Sequence, residues 1–186
     1  MLKRFTTKQL VLLALIAAFI FVFDMAFVSG IEAVVGVPGV GVLVDTIFVL
    51  AIATIGGLIV RKPGTFTIII LIYSTLCIPT NIIGPPGAYK LLIGLFLGLF
   101  ADIVLALFHY RRLGYLISLP IANVLVFPLL LYMMIVLALP GAQELQNTIW
   151  MFIGITAIES VIGSWLGIKL YEKKIIKMAI VKQFGD

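Results

Sequence analysis

Six long apolar runs fill almost the whole chain, at roughly 9–29, 41–60, 65–83, 88–108, 114–139 and 147–170. A helix rising ~1.5 Å per residue needs about twenty residues to cross a ~30 Å hydrocarbon core. Of the 186 residues, 63% are hydrophobic and 11% charged, whereas soluble domains are nearer one half apolar and one quarter charged. A water-soluble fold of this composition would expose apolar patches of a size that monomers avoid. The expected fold is an all-α integral membrane protein, one transmembrane domain over residues 1–186 with six spanning helices. The run at 65–83 is the shortest and ends among Pro79, Thr80 and Asn81. The first run is too long for a signal-peptide core and no small-residue cleavage site follows it, so it reads as a span.

The basic residues orient these spans. Lys3, Arg4 and Lys8 precede the first run, Arg61 and Lys62 follow the second, and Arg111 and Arg112 follow the fourth. Lys169, Lys173, Lys174, Lys177 and Lys182 end the chain. Of the 13 basic residues only Lys90 falls on the other side. The positive-inside rule makes the basic side cytoplasmic and places both termini there. The net charge of +5 is then orientation and attraction to anionic lipid, with no nucleic acid needed. The tail at 171–186 mixes lysines with Ile175, Ile176 and Ile180. It reads as a short amphipathic interfacial helix or a frayed basic end.

Thiol and imidazole chemistry is scarce. Cys77 is the one cysteine and His109 the one histidine, which removes intrachain disulfides and histidine- or thiolate-built metal sites. No metal site and no cofactor is expected. Nucleophile-elbow, zinc-protease and P-loop motifs are lacking as well, so enzymatic activity is not expected.

Ionisable groups inside the spans remain, and each costs about 2.5–3.5 kcal/mol or more at mid-bilayer on insertion scales. An outer layer holds Asp24, Asp45 and Lys90, with Glu32 and Glu144 in outer loops. A deeper layer holds Asp102, Asn123 and Glu159. On the fourth run Lys90, Gly94, Gly98 and Asp102 recur every four residues and share a face, with the glycines open to a close neighbour. Glu159, Gly163 and Gly167 repeat the pattern on the sixth. If Asp102 and Glu159 meet, they form with Asn123 either a ligand or proton site or a buried hydrogen-bonded cluster that orients the bundle. The outer segments 30–41 and 79–88 are rich in Gly and Pro and nearly uncharged. They are either caps over a pocket or tight interfacial turns. Tyr73, Asn81 and Trp150 lie near the same side and suit a flat organic ligand, although Trp150 equally suits the aromatic belt. Pro120 and Pro128 lie inside the fifth run and are expected to kink it.

The stretch Ala14–Leu15–Ile16–Ala17–Ala18 supplies an A-x-x-x-A pair in the first span. With six helices, cytoplasmic termini and polar groups gathered on the outer side, the chain resembles the S-components of energy-coupling factor (ECF) vitamin transporters. The stretches "VRKPG" (60–64) and "GLFADIVLALF" (98–108) are similar to the branch for thiamin or its hydroxymethylpyrimidine precursor. The resemblance implies a substrate-binding subunit of the cell membrane. Its partners would be a transmembrane coupling subunit, which docks at Ala14 and Ala18, and two cytoplasmic ATPases. It implies a vitamin pocket lined by Glu32, Asp45, Tyr73, Asn81, Lys90 and Trp150. An acid-rich mouth suits a cationic or hydrogen-bond-donating ligand. Two rival readings stand beside it. One is a membrane-embedded enzyme acting on a lipid or isoprenoid, with Asp102 and Glu159 as acid and base. The other is a structural subunit without a ligand.

Overall fold

The computed structural model describes residues 4–35, 40–82, 85–139 and 142–177, with the side chains at 29, 32, 33, 35 and 40–44 outside that description. Six helices follow one another: α1 (Thr7–Val35), α2 (Val40–Val60), α3 (Thr65–Cys77), α4 (Tyr89–Leu107), α5 (Arg112–Val136) and α6 (Ala142–Lys173). A 3-10 turn at Ile175–Lys177 follows. No strand occurs among the described residues. Thr7–Val28, Tyr89–Leu107, Arg112–Val136 and Ala142–Lys177 are long and apolar enough to cross a membrane, and Asp45–Val60 and Thr65–Cys77 are shorter apolar helices.

The helices close into a ring. In order around it, α1 packs on α2, α2 on α6, α6 on α5, α5 on α4, α4 on α3, and α3 back on α1. In addition α2 touches α3 and α5. Leu13, Ala17 and Ile20 of α1 join Phe66 and Ile69 of α3, Tyr115 and Leu119 of α5, and Ile168 of α6 in one buried cluster. Tyr115 meets Phe66 edge-on at 6.4 Å and donates its hydroxyl to the Gly57 carbonyl at 3.1 Å. Burial thus satisfies both its apolar body and its polar tip.

Several expected boundaries move. The first helix runs on through Gly30 and Glu32 to Val35, so Glu32 lies in its last turn and not in a loop. The side chain of Glu32 lies outside the described residues. Glu144 likewise belongs to the first turn of α6. The third helix stops at Cys77, six residues earlier than expected. Pro79 has no N–H to continue it, and the Ile78 and Thr80 amides turn back onto Thr75 and Cys77. At 13 residues, α3 is about 20 Å long and short of the ~30 Å core. In the tail, 171–173 continue α6 and residues beyond 177 lie outside the described ones.

A capping box opens α1. The Gln9 amide bonds Thr6 Oγ1 at 3.3 Å while the Thr6 amide bonds Gln9 Oε1 at 3.0 Å, which satisfies two amides at a helix start. Lys62 Nζ ties this corner to the α2–α3 turn through Gln9 Oε1 at 2.8 Å and the Arg4 carbonyl at 2.9 Å.

Candidate functional site

The four-residue stripe of α4 faces α3 along its whole length. At one end Asp102 accepts from the Phe66 amide at 3.2 Å, the Thr67 amide at 2.8 Å and the Thr67 hydroxyl at 2.7 Å. At the other, Lys90 Nζ, wholly buried, donates to the Cys77 carbonyl at 3.0 Å and the Thr80 carbonyl at 2.6 Å. The amino end of a helix carries partial positive charge and the carboxyl end partial negative charge. One acid and one base, about 18 Å apart on α4, therefore cap the two ends of the short helix. Between them the glycines let the backbones meet. A Cβ on Gly98 would lie 2.5 Å from the Thr67 Cα, and one on Gly94 would lie 2.1 Å from Ser74 Oγ.

This placement corrects the expected deep cluster. Asp102 turns to α3, and α5 stands between α4 and α6 in the ring, so Asp102 does not share an interface with Glu159. Asn123 instead donates to Ser160 Oγ at 2.8 Å, and Ser160 passes the bond to the Thr156 carbonyl at 2.6 Å. Periodicity identifies a face without naming what faces it. Gly163 and Gly167 on α6 serve α2 as the α4 glycines serve α3, since added Cβ atoms would lie 2.6 Å from the Ile47 carbonyl and 2.5 Å from the Ala51 carbonyl.

A different group of polar residues gathers where α1, α2 and α3 meet, toward the end of the bundle away from the basic turns. Asp24 and Asp45 are each 3% exposed and lie within side-chain hydrogen-bonding reach of one another. The Tyr73 hydroxyl donates to Asp24 Oδ2 and also reaches the buried Cys77. One oxygen in this region, Asp45 Oδ1, has no hydrogen-bond partner among the described residues. Buried polar atoms are nearly always paired. The two carboxyls thus stand side by side where three helices converge, with one Asp45 oxygen open.

Aromatic residues line the same turns of α1 and α2. Phe23 stacks on Phe27 at 5.3 Å, and Phe48 meets both, at 5.7 Å and 5.3 Å. Sequence reasoning passed over this ladder, although the spacing of Phe19, Phe23 and Phe27 every four residues marks it. Of the residues expected to line a pocket, Asp45 and Tyr73 come together here. Lys90 reaches the cluster only through the Cys77 carbonyl. Asn81 is exposed in the turn after α3, and Trp150 is 82% exposed on α6. Ala14 and Ala18 are half-buried at the edge of the face that α1 turns inward, beside fully buried Ala17 and near exposed Leu15 and Val22.

A family model described as "ABC-type cobalt transport system, permease component" matches residues 8–127, well over half of the chain. The match includes the acid pair and the α3–α4 seam. Comparisons with curated proteins and with solved structures gave no match. Membership carries the partners of such systems, ATPases and further membrane subunits, and a place in the plasma membrane as a multi-pass protein. The chain belongs to the ABC-type cobalt transport system permease family and is a membrane component of an ABC-type transport system.

Proposed function

We propose that the chain is the substrate-binding S-component of an ECF-type importer. It spans the membrane with the basic end cytoplasmic and captures a small cationic ligand at Asp24, Asp45 and Tyr73. The observation that carries this reading is the acid pair with its unpartnered Asp45 oxygen, 3% exposed, set where three helices converge. A ligand cation would pair with Asp45 Oδ1, and the Phe23–Phe27–Phe48 ladder offers π faces to a flat ring. Asn81, exposed in the turn after α3, lies toward the same end.

The family's description names cobalt. Among the described residues no group of three or more His, Cys, Asp or Glu is arranged to hold a metal ion; the reading therefore takes an organic ligand, cationic or hydrogen-bond-donating, with thiamin or hydroxymethylpyrimidine as the leading candidates. The coupling subunit would dock on the edge of α1 at Ala14 and Ala18, where small side chains permit close helix contact. Native mass spectrometry of the gently purified chain tests the ligand class. A retained organic cation supports the reading. Retained cobalt, or turnover of a lipid substrate by the chain alone, overturns it.

A further inference from the structure

At the basic end, a cavity of about 260 Å³ opens between α2, α5 and α6. Its polar wall is Arg61, Arg112, Tyr110, Tyr115, Tyr171 and Glu172, and its apolar floor includes Ile168 and Ile176. Two of these polar groups are already committed. Arg112 pairs with Glu172 at 3.2 Å, which neutralises the one carboxylate in the wall, and the Tyr115 hydroxyl donates to the Gly57 carbonyl.

The rest point to an anion. Arg61 uses Nε on the Leu58 carbonyl at 3.0 Å and lies 5.8 Å over the Tyr171 ring, so the side chain is fixed while its two terminal nitrogens remain as paired donors. Arg61 holds this pose at a left-handed backbone angle, φ 47, which few non-glycine residues adopt. The Tyr110 hydroxyl is buried without a hydrogen-bond partner among the described residues, also from a left-handed residue, φ 57. Burial, and next the nearby Asp102 carboxyl, push the Tyr110 phenol above its ordinary value, so it keeps its proton and donates.

We propose that this cavity binds a phosphate group, with Arg61 and Tyr110 as its donors, and that it seats the headgroup of an anionic phospholipid whose chains run over Ile168 and Ile176. The proposal does not depend on the identity of the transported ligand. Binding to the purified full chain is measured in neutral-detergent micelles doped with phosphatidylglycerol or with phosphatidylcholine, and separately with inorganic phosphate. Phosphatidylglycerol should bind at least tenfold more tightly than phosphatidylcholine. Two variants preserve the fold: Arg61→Asn, because Asn tolerates the left-handed angle, and Tyr110→Phe, because the lost hydroxyl has no protein partner. Arg61→Asn should weaken phosphatidylglycerol binding roughly tenfold, the scale of one charge-assisted hydrogen bond. Tyr110→Phe should weaken it several-fold. Lys8→Gln, which removes an exposed cation of the same end, should change little. Competition by millimolar inorganic phosphate would show that the site also accepts the free anion, and its failure to compete would assign the site to lipid; either result supports phosphate recognition. Equal binding of the two lipids overturns the proposal. So does a Lys8→Gln loss equal to that of Arg61→Asn, or unchanged binding in both cavity variants.

Discussion

Two sets of charged residues lie within the helices of this chain, and the fold treats them in opposite ways. Along the α3–α4 seam, the side chains of Lys90 and Asp102 direct their hydrogen bonds at the ends of α3. Their charges answer backbone groups that a short helix would otherwise leave unsatisfied at its termini. Where α1, α2 and α3 meet, Asp24 and Asp45 answer one another, and Asp45 Oδ1 is left open. An ionisable residue in a span is a site hypothesis by default. The contrast supplies the discriminator, which is whether the fold itself consumes the group's hydrogen-bonding capacity. By that measure the seam is architecture, and the acid pair is the binding element we propose.

Breaking the seam should cost stability first. Gly98→Val drives a side chain into the α3 backbone near the Thr67 Cα and should destabilise the chain by about 3 kcal/mol, the upper end for overpacking. A fall in melting temperature in detergent checks this, and an unchanged value would mean that the helices separate without penalty. Next in size, Asp102→Ala leaves two amides and a hydroxyl unpaired at the start of α3. It should cost about 2–3 kcal/mol, while Asp102→Asn, which keeps an acceptor, should cost about 1 kcal/mol. Both should leave ligand affinity within a factor of two or so, since the carboxyl lies on the other side of α3's length from the acid pair; equilibrium binding to the purified variants decides it.

The acid pair should behave in reverse. Asp45→Asn removes no protein hydrogen bond at Oδ1, so its stability should stay within about 0.5 kcal/mol of the parent. Affinity for a cationic ligand should drop about a hundredfold, on the scale of one charge-assisted hydrogen bond. The smallest effect on the isolated chain belongs to Ala14→Leu with Ala18→Leu. These half-buried positions lie at the edge of the α1 core face, so stability should again move by less than about 0.5 kcal/mol. Ligand binding should survive, and uptake by the assembled transporter should fall. Loss of binding together with uptake would assign the alanines to the fold of the chain.

The seam was half legible in the sequence. The period of four placed Lys90, Gly94, Gly98 and Asp102 on one face, and the glycines announced a close neighbour. Which helix came close was not legible. Short connections favour sequence neighbours, and α3 is such a neighbour of α4, but similar depth pointed to Glu159 on α6. Ring order decides such questions, and it depends on contacts between distant segments. Of the acid pair, the sequence showed that Asp24 and Asp45 share a layer, but not that α3 delivers Tyr73 to Asp24. The early end of α3 was hidden as well, because the apolar run continues past Cys77 through Ile78, Ile82 and Ile83 while Pro79 and the capping Lys90 stop the helix. The capping box at Thr6–Gln9 was fully readable from the spacing of two residues.

The most direct measurement is a side-by-side titration of thiamin and hydroxymethylpyrimidine into the parent chain, Asp45→Asn and Asp102→Asn, read by thermal shift and by binding heat. The parent and Asp102→Asn should bind at least one of the two with similar affinity, and Asp45→Asn should bind it about a hundredfold more weakly although its melting temperature without ligand is unchanged. Equal binding by Asp45→Asn, binding lost only in Asp102→Asn, or no binding of either compound by the parent would contradict the assignment of the acid pair as the site of a cationic vitamin.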